Sequence, residues 1–386
     1  MERQNANYDI FKHNSGMEDI GADILLRVLS ECEKYRPDLY TQADALNALA
    51  RERLSFHDFG ALISPVAEPI VERIAERAKT ETARYHGNGV ALFTPLYIAN
   101  HCVNHCTYCG FNINNNISRA KLSFDEIAAE LQAIAATGLD EVLILTGESR
   151  KMSDVAYIGE AVKLASGHFK VVGIEIYPLN TDEYAYLREC GAEFANIYQE
   201  TYTPEIYMKV HPAGPKRCFA YRFNAHERAL RGGMRGVSFG SLLGLGDFHR
   251  DVYAAGLHAY LLQQKYPHAE ISFSAPRIRA YMNHPEGGAH GVSEKKLLLA
   301  MLAYRIFMPY AGLTISTRER PGFRDRVAGL CATKISAGVC VGVGGHGADQ
   351  KGGEQFEIAD ARSVGEIHDM LRRSGLQPIY TNHIRC

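Results

Sequence analysis

The chain has 386 residues, 46% of them hydrophobic, enough to bury a large core as one α/β barrel or two smaller domains. Its formal net charge is −2 with both signs mixed along the length, which excludes the dense basic face a nucleic-acid backbone requires. The polar start MERQNANYDIFKHN has no apolar signal core and no run nears the roughly 20 apolar residues of a bilayer span, so no membrane partner is expected and the cytoplasm is the default location.

In chain order, residues 1–88 read as a helical extension. Within SPVAEPIVERIAERA, Ser64 is a candidate N-cap, Pro65 takes the first helical position, and Val66, Ile70 and Ile74 share a face. This predicts a helix running from Pro65. The pattern then changes to short apolar strands alternating with amphipathic helices: ALFTPLYIA, SFDEIAAELQAIAATG, EVLILT and a helix over 153–167. Ser123 and Glu126 form a capping box, Ile127, Leu131 and Ile134 share a face, and Gly138 closes the helix. Further strands at KVVGIEIYP, EFANIY, GVSFGSLL, EISFSA, GLTIST and TKISAG bring the count to eight, the number in a closed (β/α)8 barrel of the TIM type, spanning 89–340. The glycine-rich stretch VCVGVGGHGADQKGGEQF and a helix near 363–374 form a C-terminal part, 341–386, that closes the barrel.

Nine cysteines are scattered except for one group, NHCVNHCTYCGFN, which brings Cys102, Cys106 and Cys109 within eight positions. Cys32, Cys190, Cys218, Cys331, Cys340 and Cys386 lie apart, so the chain is no disulfide scaffold and the group is a metal-site candidate. A [4Fe–4S] cluster has four irons to ligate, and three thiolates leave one open to bind and act on a small molecule. A Cys3His zinc site completed by His101 or His105 is the competing reading, disfavoured because structural zinc knits small loop-rich modules and these cysteines follow a barrel strand.

The spacing Cys-x3-Cys-x2-Cys, with Tyr108 before the last cysteine, resembles the radical S-adenosylmethionine (SAM) superfamily. The resemblance implies a [4Fe–4S] cluster on Cys102, Cys106 and Cys109, with SAM chelating the open iron and being cleaved to methionine and a 5′-deoxyadenosyl radical. By the same resemblance, Gly147 and Glu148 in LILTGE hold the SAM amino group, and Gln199 and Glu200 in IYQETY lie near its ribose or polar end. Arg222 in YRFNAHERALRGGM would pair with the SAM carboxylate, and Gly240, Leu242 and Gly244 in GSLLGLGD form an adenine segment.

Within the superfamily, CTYCGF, TGE, YQETY, SFSAPRIR, STRERPGFRDRV, ISAG and EQFEIADARS resemble the tyrosine lyases of bacterial thiamine biosynthesis, from about residue 61 nearly to the end. That implies cleavage of the tyrosine Cα–Cβ bond to 2-iminoacetate and p-cresol, with a thiazole synthase complex as partner and a flavodoxin- or ferredoxin-type electron donor. An amino acid carboxylate needs a cationic fork, offered by Arg277 and Arg279 in PRIR and by Ser316, Thr317 and Arg318 in STRE, with Arg279 slightly ahead of Arg318. Relatives often carry proline where this chain has Ala280, and a more polar stretch where it has VCVGVGGHG. The tyrosine-cleaving maturases of [FeFe]-hydrogenase are expected to differ by an added C-terminal domain with three further cysteines. Two alternatives remain open: a tryptophan-cleaving relative, whose cysteine motif reads CKMC against CTYC here, and a non-catalytic Fe–S or zinc scaffold.

Overall fold

The structure, a computed structural model, describes residues 8–279 and 291–381. Ala280 and Cys386 lie outside the described residues. Eight parallel strands close into a barrel: β1 (Gly89–Ala99), β2 (Glu141–Thr146), β3 (Val171–Glu175), β4 (Phe194–Asn196), β5 (Gly236–Phe239), β6 (Glu270–Ser274), β7 (Gly312–Ile315) and β8 (Lys334–Ser336). Each strand pairs with the next, and β1 pairs with both β2 and β8. A ninth, β9 (Gln377–Ile379), lies parallel to the start of β1, in register from Gly89 opposite Gln377. It sits below β2 on the same edge, because β1 pairs with β2 only from Thr94 onward.

Strand β1 is buried along its length except at Gly89, as expected of a central strand covered on both faces. The helix after it, Phe124–Ala135, has the capping box expected, Ser123 and Glu126 exchanging backbone and side-chain hydrogen bonds. Gly138 follows in a left-handed conformation (φ 88°) that favours glycine. Helices Val155–Ser166 and Val364–Arg373 lie where the sequence places them. One boundary differs. Pro69 has no N–H to donate, so Pro65–Ile70 winds as a 3-10 segment and the α-helix begins at Val71. Ser64 turns its hydroxyl back to the Ala61 carbonyl rather than capping that segment.

The N-terminal helices pack on the outside of the barrel: Asp23–Lys34 lies on Phe248–Lys265, and Val71–His86 on Glu294–Phe307. Phe59 stacks on Phe307 with ring centroids 4.3 Å apart. On the other side, the glycine-rich stretch after β8 folds over the end of β1. Gly344 N–H bonds the Tyr97 carbonyl, and the buried Glu130 carboxylate accepts from the backbone N–H groups of His346, Gly347 and Ala348. Three donors on one carboxylate make a strong anchor. No helix among the described residues is long and apolar enough to cross a membrane.

Candidate active site

The site lies at the C-terminal ends of the strands, where barrels of this type carry their chemistry. The chain leaves β1 into the loop holding Cys102, Cys106 and Cys109, all free thiols. A single arginine gathers this loop. Arg119 donates to the carbonyls of Asn100 (2.8 Å), Phe111 (2.9 Å), Asn112 (2.6 Å) and Asn115 (3.3 Å). Five donors on a rigid fork suit it to collecting several backbone acceptors at once. From the other side Gln355, in the C-terminal stretch, donates to Cys109 Sγ at 3.8 Å and accepts from Tyr97 Oη at 2.8 Å. Gly110 N–H bonds the Gln355 carbonyl.

Burial raises the pKa of Cys102 and of Cys106, and the neighbouring thiolates raise both further. Three thiols that feel one another's charge in a loop with no fourth cysteine fit a cluster with one iron left open. Among the described residues, no three His, Cys, Asp or Glu side chains converge on a single metal ion. Among the described residues the zinc alternative therefore finds no donor set.

At the end of β2, Gly147 lies so close to the His101 carbonyl that a Cβ would collide with it, and its N–H bonds the Ala99 carbonyl. Only glycine allows that approach. Val103 N–H bonds the Glu148 carbonyl, and Glu148 Oε2 accepts from Asn104 Nδ2 at 2.6 Å, so the Gly–Glu turn and the cysteine loop are one assembly. Burial raises the Glu148 pKa, while Asn104, Arg222 and Lys216 pull it back.

Beyond β4 the side chains face different ways. Tyr198 and Glu200 line the cavity, whereas Gln199 between them is fully buried, its amide directed to the Phe219 carbonyl at 3.5 Å. The structure thus places Gln199 away from the cavity. Glu200 has a left-handed φ of 72°, an uncommon conformation for a non-glycine residue. Its carboxylate accepts from Lys216 Nζ (2.6 Å) and Arg222 (3.3 Å). Burial would push its pKa up, but Lys216 and Arg222 outweigh that and hold it below the usual value. Arg222 also donates to the Tyr198 carbonyl at 2.7 Å.

Tyr108, inside the cysteine motif, donates to His211 Nε2 at 2.7 Å. His211 Nδ1 lies 2.9 Å from the Tyr207 carbonyl, which can only accept, so the proton sits on Nδ1 and Nε2 receives the phenol. Burial, then Lys216 and Arg222, keep this histidine neutral by lowering its pKa well below the ordinary value.

Together these elements border a cavity of roughly 1050 Å³, its open mouth included. Tyr108, Cys109, Glu200, Leu242, Arg279, Ser316 and Arg318 all line it, as the sequence leads one to expect. Arg277 does not; it forms a two-pronged ion pair with the buried Glu319, which Arg279 also approaches at 3.4 Å. Arg318 differs from both. Its guanidinium lies over the Phe356 ring (3.4 Å to the centroid), donates to the Arg277 carbonyl at 3.4 Å, and pairs with no carboxylate among the described residues. Burial lowers its pKa.

Arg119, Lys216, Gln355, His211 and Glu175 escaped the sequence reading. Glu175 could have been suspected as a lone acid ending an apolar strand, VVGIE. The others carry no local signal, since their roles depend on segments far apart in the chain.

Barrel architecture and thiolate placement define the class as a radical SAM enzyme, which uses a [4Fe–4S] cluster and SAM. Residues 96–255 match the Radical SAM superfamily, and residues 274–377 match the Biotin and Thiamin Synthesis associated domain. The chain is 36% identical over 341 residues to the 2-iminoacetate synthases of Salmonella typhimurium and Escherichia coli, covering 88% of this chain and 90% of each relative. The [FeFe]-hydrogenase maturase HydG superposes with a TM-score of 0.87 at 29% identity, covering 94% of this chain and 81% of HydG. HydG of Carboxydothermus hydrogenoformans gives 0.85 at 28%, covering 95% and 86%. This chain belongs to the 2-iminoacetate synthase family of radical SAM enzymes.

Glu148 and Arg222, to which the sequence resemblance assigns the SAM amino and carboxylate groups, do not line the cavity themselves but adjoin it through Asn104 and through Glu200 respectively. Glu148→Ala and Arg222→Ala are each expected to weaken SAM binding by about ten- to hundredfold, the loss of one charge-assisted hydrogen bond of about 1.5–3 kcal/mol. Equilibrium binding of SAM to the folded, cluster-loaded variants checks this.

Proposed function

We infer that this chain is a radical SAM lyase that cleaves the Cα–Cβ bond of L-tyrosine to 2-iminoacetate and p-cresol. Family membership supports the reaction, and the observation that carries the substrate class is Arg318, a cavity-lining guanidinium with no carboxylate partner among the described residues. A desolvated guanidinium with no carboxylate in direct contact is costly, and an amino acid carboxylate supplies that contact. Arg318 therefore takes precedence over Arg279, whose charge is already shared with Glu319. Ser316, on the same turn, adds a hydroxyl beside it. Phe93, Leu143, Leu145 and Val341 offer an apolar wall for the aromatic ring.

When bound, the cluster and SAM supply a 5′-deoxyadenosyl radical. The residues of the chain decide what that radical meets, by holding one substrate in place and excluding water. The segment 341–386 contributes by laying Val341, Gln355 and Phe356 against the cavity, which supports reading it as the barrel's closure. Because an imine hydrolyses in water, we expect a thiazole synthase complex to intercept the product and a flavodoxin- or ferredoxin-type protein to deliver electrons. Anaerobic turnover of tyrosine and tryptophan side by side tests the reading. p-Cresol from tyrosine supports it, whereas conversion of tryptophan alone transfers the assignment to the tryptophan-cleaving relatives.

A further inference from the structure

We propose that Glu175 is the base that takes a proton from the α-ammonium of the bound amino acid. The inference rests on the tyrosine reading above and adds a catalytic residue to it.

Glu175 ends β3 and lines the same cavity as Arg318. Its contact to a neighbouring side chain is a long hydrogen bond from Asn196 Nδ2, at 3.5 Å. Among the described residues it forms no ion pair, and neither does Arg318. The cavity thus holds two opposite charges, each lowering the other's cost of burial, yet too far apart to pair. A zwitterionic amino acid satisfies both: its carboxylate meets the guanidinium and its ammonium meets the carboxylate.

The product makes the base necessary. The zwitterion's nitrogen carries three hydrogens and the neutral imine of 2-iminoacetate carries one. A single 5′-deoxyadenosyl radical removes at most one hydrogen atom. Whichever hydrogen it takes, at least one of those on nitrogen must leave as a proton. In the proposed step an N–H bond breaks, an O–H bond forms on a Glu175 carboxylate oxygen, and the electron pair stays on nitrogen for the developing C=N bond.

The surroundings suit the task. Glu175 faces Arg318 from the turn after β7, Tyr97 from β1, Tyr198 and Glu200 from the end of β4, and Arg222 from the helix Phe219–Phe223. Burial raises its pKa; Asn196, Arg318 and Arg222 lower it and Glu200 raises it, leaving it pushed up to about 7. A base works in its deprotonated form, so turnover should rise with pH through about 7.

The test compares cluster-loaded wild type, Glu175→Gln and Glu175→Asp under anaerobic conditions, recording kcat and KM for p-cresol formation from about pH 6 to about pH 9. Glu175→Gln should lower kcat by about 100-fold or more while changing KM by less than about tenfold. It should also lose the rise near neutrality and climb instead toward the ionisation of the substrate amine, with SAM cleavage in the absence of tyrosine unchanged. Glu175→Asp should keep the neutral rise at an intermediate rate. Wild-type kcat with an unchanged pH profile in Glu175→Gln would overturn the proposal, as would a loss confined to KM. Should the glutamine variant fail to load its cluster, Glu175→Asp decides: a lowered kcat with the neutral rise retained supports the role, and disappearance of the rise contradicts it. Failure of the tyrosine reading would appear in the wild type as absence of p-cresol, while failure of this inference appears in the variants alone.

Discussion

Replacing Cys106 with alanine is expected to abolish SAM cleavage and to take the reconstituted iron content well below the roughly four atoms per chain of an intact cluster. Cys106 sits in the middle of the three-thiol loop and is buried. The other buried cysteines among the described residues belong to other parts of the fold: Cys32 to the helix Asp23–Lys34, Cys190 to the end of Thr181–Cys190, Cys218 beside the Lys12 carbonyl, and Cys331 after the helix Pro321–Ala328. Alanine at Cys32, Cys190 or Cys218 should therefore leave iron content and SAM cleavage intact. Iron and sulfide analysis beside 5′-deoxyadenosine production checks the pair, and full activity in Cys106→Ala would remove the cluster assignment.

Arg318→Met is expected to lower tyrosine kcat/KM by about 30- to several-thousand-fold, the 2–5 kcal/mol lost when one partner of a buried charge pair is truncated. SAM binding should stay near wild type, because Glu148, Arg222 and Lys216 are held through Asn104 and Glu200 by contacts in which Arg318 takes no part. Arg318→Lys should recover only part of the loss, since an ammonium keeps the charge but not the two-pronged geometry. Arg279→Met should cost less than Arg318→Met, as Arg277 continues to hold Glu319. Steady-state kinetics on the three variants gives the order. Equal losses at Arg279 and Arg318 would mean that the carboxylate is shared between them.

These expectations show where the sequence was legible and where it was not. The eight strands and the capped helices were readable because hydrophobic periodicity and cap chemistry are local: Ser123 and Glu126 lie three positions apart and form the box their identities imply. The start of the helix at Val71 was misread because Pro65 met the rule for a first helical position while Pro69, four residues on, removed a donor that an α-helix needs. The cysteines, the Gly–Glu turn and Arg222 were legible as motif positions. Gln199 was grouped with Glu200 by adjacency, though Gln199 is buried away from the cavity that Glu200 lines. The choice between Arg279 and Arg318 was beyond the sequence, because it turns on which guanidinium Glu319 occupies. Glu175 was hidden for a similar reason: nothing in VVGIE says that the carboxylate will share a cavity with an arginine more than a hundred positions away.

The most direct measurement is anaerobic turnover of tyrosine labelled with carbon-13 at Cα, with reduced enzyme and SAM. Cleavage of the Cα–Cβ bond puts the label in glyoxylate, the hydrolysis product of 2-iminoacetate, and leaves p-cresol unlabelled, with 5′-deoxyadenosine formed alongside. Formation of 5′-deoxyadenosine with the label still in intact tyrosine, or carried into the aromatic product, would contradict the account.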